Sequence, residues 1–144
     1  MIHFVSISTF RSRLESLLKV KRGVYTAAPD AICEAFKGAT IEQIRQNRDM
    51  ILMDNDAVAI KLRLPDKRQH LSKSEGYRLI YLVMKHVPLV AHLDIYPKRS
   101  PLQQLDIEKT EIERLIAEFR TEMQADILVE HDINDHLREI GKTN

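Results

Sequence analysis

The sequence predicts a single α+β domain, because the spacing of its apolar residues changes twice along the chain. Apolar residues recur at helical spacing up to about residue 48, alternate with a period of two from residue 50 to residue 96, and return to helical spacing from Ile112. With 144 residues, of which 44% are hydrophobic, the chain can bury one core. We expect an N-terminal strand and helices, then a mainly antiparallel sheet of about four strands packed on helices, and C-terminal helices.

The N-terminal part predicts one strand and three helices. Residues 2–8 are rich in β-branched and aromatic side chains, which is typical of a short strand. Ser8 or Thr9 is placed to cap the first helix. Pro29 suits the first turn of a second helix, and the capping-box sequence that begins at Thr40 starts a short third one.

The middle of the chain predicts the sheet. Residues 50–53 and 58–64 flank the polar turn Asp54-Asn-Asp56 and form a hairpin. Residues 77–84 are apolar on both faces, as in a central strand, and residues 89–96 form its neighbour. These four segments account for the expected antiparallel sheet.

Alternation along these strands separates a core face from a polar face. On residues 58–64 the apolar side chains share one face, which places Lys61 and Arg63 together on the other. On residues 89–96 we expect His92, Asp94 and Tyr96 to point away from the core. Tyr77 and Tyr81 share a face of the central strand and are expected in the core.

The C-terminal part predicts two helices. Asp106 is placed to cap the first, whose apolar stripe runs from Ile112 to Met123. Beyond it, four apolar residues near helical spacing predict a last helix from about Asp126: Val129, Ile133, Leu137 and Ile140.

Charge is segregated along the chain. Residues 57–100 hold nine Lys and Arg against three acidic residues, whereas residues 101–144 hold five against eleven. This asymmetry indicates an anionic partner for the middle segment. We expect the acidic C-terminal segment to lie over the basic face and inhibit it, or to make a dimer or partner contact; both segments being ordinary solvated surface is the plainer alternative.

Several classes of protein are disfavoured. No apolar run approaches the roughly 20 residues that cross a bilayer, and the first residues lack the layout of a signal peptide, so we expect a cytoplasmic protein with no membrane contact. Cys33 is the single cysteine and is expected to be a buried structural thiol. No Cys/His spacing suggests zinc, and neither a metal nor a cofactor is expected.

The polar face has the composition of an RNA-binding surface. Lysine and arginine neutralise phosphates, and a tyrosine ring stacks on a base. The same groups can cleave RNA without a metal, since cleavage needs a base for the 2′-hydroxyl, cations for the pentavalent phosphate and an acid for the 5′-oxygen. The alternatives are that the cations are merely solvated, that His92 is a hydrogen-bonded structural residue, and that Asp94 pairs with an arginine.

Three short segments resemble the consecutive sheet strands of RelE/HigB-type toxins of bacterial toxin–antitoxin systems. They are Lys61-Leu-Arg63, Gly76-Tyr-Arg78 with the apolar residues after it, and Asp94-Ile-Tyr-Pro-Lys98. Their order and spacing match the family over about residues 50–120, and the earlier residues match by element order alone. The resemblance implies a RelE-like domain over residues 1–123, with residues 124–144 as an acidic helical extension that belongs to the domain or is appended to it.

Members of that family cut messenger RNA without a metal, often in the ribosomal decoding site, and are silenced by a cognate antitoxin. The resemblance implies the same activity and partners here, and a homodimer is also considered. It makes Arg78 the residue that holds the scissile phosphate and Tyr96 or Lys61 the base. The implied catalytic set is Lys61, Arg63, Arg78, Tyr96 and Lys98. The candidate RNA-binding set is Lys67, Arg68, Lys73, His92 and Arg99, of which the resemblance implies Lys73 and the basic stretch itself suggests the others.

Two other hypotheses are alternatives to an endoribonuclease toxin. A non-catalytic RelE-like regulatory module would use the same face to bind nucleic acid or a protein. An interaction domain would use its last helices and carry the basic stretch incidentally.

Overall fold

The computed structural model describes residues 1–46, 50–98 and 109–142. This part of the chain contains four α-helices and seven strands, with a 3₁₀ turn at Lys21–Gly23. The helices are α1 (Ser8–Leu18), α2 (Ala28–Phe36), α3 (Ile41–Arg45) and α4 (Lys109–Gln124). The strands are β1 (His3–Ser6), β2 (Met50–Met53), β3 (Ala57–Leu64), β4 (Tyr77–Met84), β5 (Leu89–Pro97), β6 (Val129–Asp132) and β7 (Arg138–Lys142).

The described strands form one mixed sheet in the order β2-β3-β4-β5-β1-β6-β7. Every neighbouring pair is antiparallel except β1 and β5, which run parallel. The α+β class and the mainly antiparallel sheet are confirmed. The sheet is nevertheless larger than the four strands expected, since β1 lies inside it and the C-terminal segment adds two more.

The predicted last helix is wrong, because residues 129–142 form the β6–β7 hairpin. β6 fills the edge that β1 presents, with Phe4 opposite His131. His136 and Leu137 have φ values of 52° and 61°, which no α-helix accommodates. The four-residue spacing that predicted a helix is therefore the spacing of apolar residues across a hairpin.

Residues 129–142 of the acidic C-terminal segment do not cover the basic face in the described structure, whereas its helix α4 packs against β5 on that face. β6 lies four strands away from β3, which corresponds to about 19 Å at the usual strand separation. Residues 129–142 are also an integral part of the sheet rather than a helical extension. The expected self-inhibitory contact with Lys61 and Arg63 is therefore wrong for this part of the chain.

Helices cover both faces of the sheet. On one face, the ring of Phe36 from α2 lies 5.4 Å from that of Phe4 and 5.1 Å from that of Tyr81. On the other face, α4 packs against β5. The predicted stripe of α4 is buried from Ile112 to Phe119, but Met123 at its end is 39% exposed.

The cap of α1 comes from another helix. The residue before its first turn is Ile7, which provides no side-chain hydrogen bond, so the predicted capping by Ser8 or Thr9 is wrong. Instead, the backbone N–H groups of Ser8 and Thr9 donate to the carboxylates of Glu122 and Glu118 on α4, at 3.1 and 3.0 Å. A helix N-terminus favours acceptors with negative charge, and α4 supplies them.

Other local predictions hold. Pro29 lies in the first turn of α2, and Thr40 forms the capping box of α3 with Gln43. Cys33 is buried, and burial raises the pKa of its thiol. Asp106 lies outside the described residues. None of the described helices has the length and apolar character needed to span a bilayer.

Gly76 fixes how β4 begins. A Cβ atom at this position would lie 2.2 Å from the carbonyl oxygen of Leu64 and 2.8 Å from the backbone nitrogen of Asp66. These neighbours are backbone atoms and cannot move aside independently. Only glycine therefore allows the start of β4 to lie this close to the end of β3.

We expect Gly76→Ala to lower the free energy of unfolding by about 2–3 kcal/mol, because the added methyl group must push two strands apart. Urea unfolding at neutral pH measures the change. Gly38→Ala is the control, since its Cβ meets nothing within 4 Å and only the strain of a φ of +75° remains. A loss no larger at Gly76 than at Gly38 would contradict the close approach of the strands.

Candidate nucleic-acid interface

Three residues implied by the resemblance form a row across adjacent strands. Arg63 on β3 lies opposite Arg78 on β4, and Arg78 lies opposite Tyr96 on β5. Directly opposed residues of neighbouring strands have Cβ atoms about 5 Å apart, so the three side chains leave the sheet from adjacent positions on one face. We call these three residues the cross-strand row.

A second row lies beside the first. Lys61 is opposite Ile80, and Ile80 is opposite Asp94, on the same face as the cross-strand row. Lys98 follows at the end of β5, where its N–H donates to the carbonyl of Gly76 at 2.8 Å. The structure therefore brings Lys61, Arg63, Arg78 and Tyr96 together, with Lys98 at the margin.

The residues of the cross-strand row differ in how much of their side chains solvent reaches. Arg63 is exposed and Lys61 is partly exposed, whereas Arg78 and Tyr96 retain only 6% and 2% of their accessible surface. The expectation that this face is open to solvent along β5 is wrong. The reason is that α1 and α4 both pack against β5.

The guanidinium of Arg78 holds the basic loop, residues 65–75, between β3 and β4. It donates to the carbonyl oxygens of Lys73 at 3.0 Å, Ser74 at 2.8 Å and Tyr77 at 3.1 Å. Charge-assisted hydrogen bonds of this kind are stronger than neutral ones. In this structure Arg78 thus fixes the end of the basic loop through hydrogen bonds from its guanidinium to the backbone.

The basic loop carries three of the implied RNA-binding residues. Lys73 is exposed, and the ammonium of Lys67 lies 2.8 Å from Glu34 on α2. Arg68 donates to the carbonyl of Arg22 at 2.9 Å. These contacts attach the loop to the N-terminal helical segment. Arg99 lies outside the described residues.

His92 lies in the core and not at an RNA-facing surface. A register shift in the β4–β5 pairing places His92 opposite Tyr81, on the face away from Asp94. It is fully buried among the rings of Phe4, Phe10 and Phe36, at 6.2, 5.2 and 5.6 Å. Neither ring nitrogen has a hydrogen-bond partner in the described structure. Burial and the neighbouring His131 lower the pKa of His92 to about 3.

Asp94 forms an ion pair with an arginine, which was the alternative to a role in RNA binding or cleavage. Its carboxylate lies 3.3 Å from Nε of Arg13 on α1 and accepts the N–H of Ile95 at 2.8 Å. Burial raises the pKa of Asp94 to about 6 despite the arginine. Arg13 had no sequence signal, because nothing local predicts that α1 runs beside β5.

The sequence analysis also did not identify a buried hydrogen-bonded pair, Ser6 and His131. Nδ1 of His131 lies 2.9 Å from the carbonyl oxygen of Leu137, so Nδ1 carries the proton and Nε2 accepts the Ser6 hydroxyl at 2.7 Å. Ser6 is fully buried. The pair therefore links β1 to β6 and is closed to a substrate in this structure.

Searches against protein-family models, curated proteins and solved structures found no match to this chain. The residues and their geometry are thus the basis for any functional conclusion. In chemical terms, the accessible cations Lys61, Arg63 and Lys73 can neutralise phosphates, and the buried Arg78 can stabilise charge that develops beside it only where RNA reaches its guanidinium.

We expect Arg78→Ala to speed backbone hydrogen exchange in the basic loop, because two carbonyl groups at its end, those of Lys73 and Ser74, lose a charged donor. The free energy of unfolding should fall by about 2–4 kcal/mol. Hydrogen exchange read by mass spectrometry measures the first effect. Arg63→Ala, at the opposed and exposed position, is the control and should leave loop protection unchanged. Equal protection in both variants would show that Arg78 does not fix the loop.

We expect His92 to make the protein less stable in acid. Its folded pKa lies below the ordinary value of 6.5, so the unfolded chain binds more protons, and stability falls as the pH drops from about 6.5 towards 3. The expected slope is about 1.4 kcal/mol per pH unit. In His92→Leu this loss should disappear, whereas exposed His86→Leu should retain it. Urea unfolding between pH 7 and pH 4 measures it, and parallel curves for the wild type and His92→Leu would contradict the assignment.

Proposed function

We propose that this protein is a toxin of the RelE/HigB type that acts as a metal-independent endoribonuclease on messenger RNA. The observation that carries the proposal is the cross-strand row of Arg63, Arg78 and Tyr96, with Lys61 and Lys98 beside it. These are the residues that the resemblance makes functional, and they come from three separate strands. A cognate antitoxin is the expected protein partner.

In the proposed reaction, the accessible side of the cross-strand row binds the RNA backbone, and the buried side acts on the bond that is cleaved. Arg63 and Lys61 bind the backbone phosphates on the accessible side. The 2′-oxygen attacks the adjacent phosphorus while the deprotonated side chain of Tyr96 or Lys61 takes its proton, and the bond from phosphorus to the 5′-oxygen breaks. Water supplies a proton to the leaving 5′-oxygen, and Arg78 stabilises the charge on the pentavalent phosphate.

A second candidate function is RNA binding without cleavage. Two observations favour it: Tyr96 retains 2% of its accessible surface, and the guanidinium of Arg78 already donates to three carbonyl oxygens. Binding requires only the cations that solvent reaches. Cleavage additionally requires that RNA reach Tyr96 and Arg78.

We expect induced expression of the wild-type chain in bacteria to arrest growth and to create new messenger-RNA 5′ ends. The double variant Lys61→Ala/Arg63→Ala should grow normally, because it loses the two cations that receive the phosphates; cleavage by the purified protein should fall about 100-fold. Lys19→Ala removes an exposed lysine paired with Glu15 on α1 and is the matched control.

The outcomes separate the two candidates. Growth arrest and 5′ ends that persist in the double variant would contradict the proposed site. If the purified wild type binds single-stranded RNA but leaves it intact, the binding module is correct. In that case the double variant should reduce the slope of the logarithm of the binding constant against the logarithm of the salt concentration by roughly 1.4. This is the value for two phosphate contacts on a single strand. A folded wild type that neither binds nor cuts RNA would exclude both.

A further inference from the structure

A groove runs beside the outer half of β3. Among the residues that the structure describes, Met50 opposite Ile60 is the last pair between β2 and β3, while β3 continues to Leu64. Helices α2 and α3 stand beside this last part of the strand. The space between them has a volume of about 470 Å³, within the range of small-molecule pockets.

Small side chains keep the groove open. Ala31, Ala35 and Ala39 line the helical side, and Leu62 and Leu64 line the strand side. Ala31 and Ala35 are one helical turn apart and therefore share a face of α2. Larger residues there would fill the space against β3.

Aromatic side chains close the floor of the groove. Phe36 and Tyr81 both line it, and their rings pack at 87° to one another with centroids 5.1 Å apart. Both are held firmly, because Phe36 also packs on Phe4 and the hydroxyl of Tyr81 donates to the carbonyl of Ile44. The groove thus has an apolar interior that does not depend on loop residues.

Cations surround the mouth. Arg63, Lys67 and Lys73 all line the groove, against the single carboxylate of Glu34. Arg63 comes from β3, whereas the two lysines come from the basic loop that Arg78 fixes. Positive charge therefore reaches the mouth from two directions.

We infer that this groove binds one nucleotide of a single-stranded RNA, with the base inside and its phosphates on Arg63, Lys67 and Lys73. The inference rests on the proposed function, since it names where RNA lies beyond the cross-strand row. Leu62 and Leu64 face the groove, so the side chain of Arg63 between them leaves the strand on the opposite face, with the cross-strand row, and RNA would pass around the edge of β3 to reach both. An apolar slot with a cationic mouth matches a flat heterocycle that carries phosphate.

A nucleotide suits these observations better than an acidic peptide. Carboxylates would satisfy the cations equally well, but an acidic side chain brings no flat ring to lie between the alanines of α2 and the leucines of β3. Because a base must leave its helix to enter, the groove selects single-stranded over double-stranded RNA.

The test fills the groove without touching the core. Ala35 is exposed, so Ala35→Leu adds bulk to the groove wall alone, and Ala117→Leu makes the same change on the exposed side of α4. The probe is a fluorescent 12-nucleotide RNA with 2′-O-methyl groups, which cannot be cleaved. We expect about tenfold weaker binding by Ala35→Leu, unchanged binding by Ala117→Leu, and unchanged melting temperatures.

Four other outcomes would each contradict the inference. Wild-type affinity in Ala35→Leu would overturn the groove and leave the proposed function standing, whereas no RNA binding by the wild type would overturn both. If Ala35→Leu instead abolishes binding of a poly-glutamate peptide and leaves RNA binding intact, the groove is a peptide site. An RNA with one abasic position should bind the wild type as weakly as intact RNA binds Ala35→Leu; equal affinity for abasic and intact RNA would show that no base enters.

Discussion

The parallel pairing of β1 with β5 is the interaction on which the rest of the structure depends. On one side β5 continues into the antiparallel strands β4, β3 and β2, and on the other β1 carries the β6–β7 hairpin. Within the described residues, the strand pairing between the two halves of the sheet consists of four residue pairs, His3–Ser6 against residues 89–92. The same contact brings Phe4 and Phe10 around His92, so it also organises the centre of the core.

Local patterns in the sequence predicted what local chemistry determines. The hairpin of β2 and β3, the buried strands β4 and β5 and the stripe of α4 follow from alternation, turn residues and helical spacing. The position of β1 and the β6–β7 hairpin did not follow, because both depend on pairing between distant segments. A spacing of four residues from Val129 to Leu137 occurs equally in a helix and across a hairpin, and only the partner strand distinguishes them.

The residues that form the candidate site could be predicted from the sequence, but their burial could not. Strand alternation and the family resemblance selected Arg63, Arg78 and Tyr96, and these residues do occupy opposed positions. Their burial depends on how helices pack over β5, which no strand pattern contains. The register shift beside Asp94 also reverses the side on which His92 lies, and a single sequence gives no sign of it.

The capping of α1 by α4 has a consequence for how the chain folds during synthesis. Ser8 and Thr9 receive their acceptors from residues 114 and 109 positions later, and β1 waits for β5 in the same way. An isolated helix of eleven residues is marginal in water. The β1–α1 segment therefore becomes ordered only after these later partners have been synthesised, and until then its apolar face is accessible to chaperones and proteases.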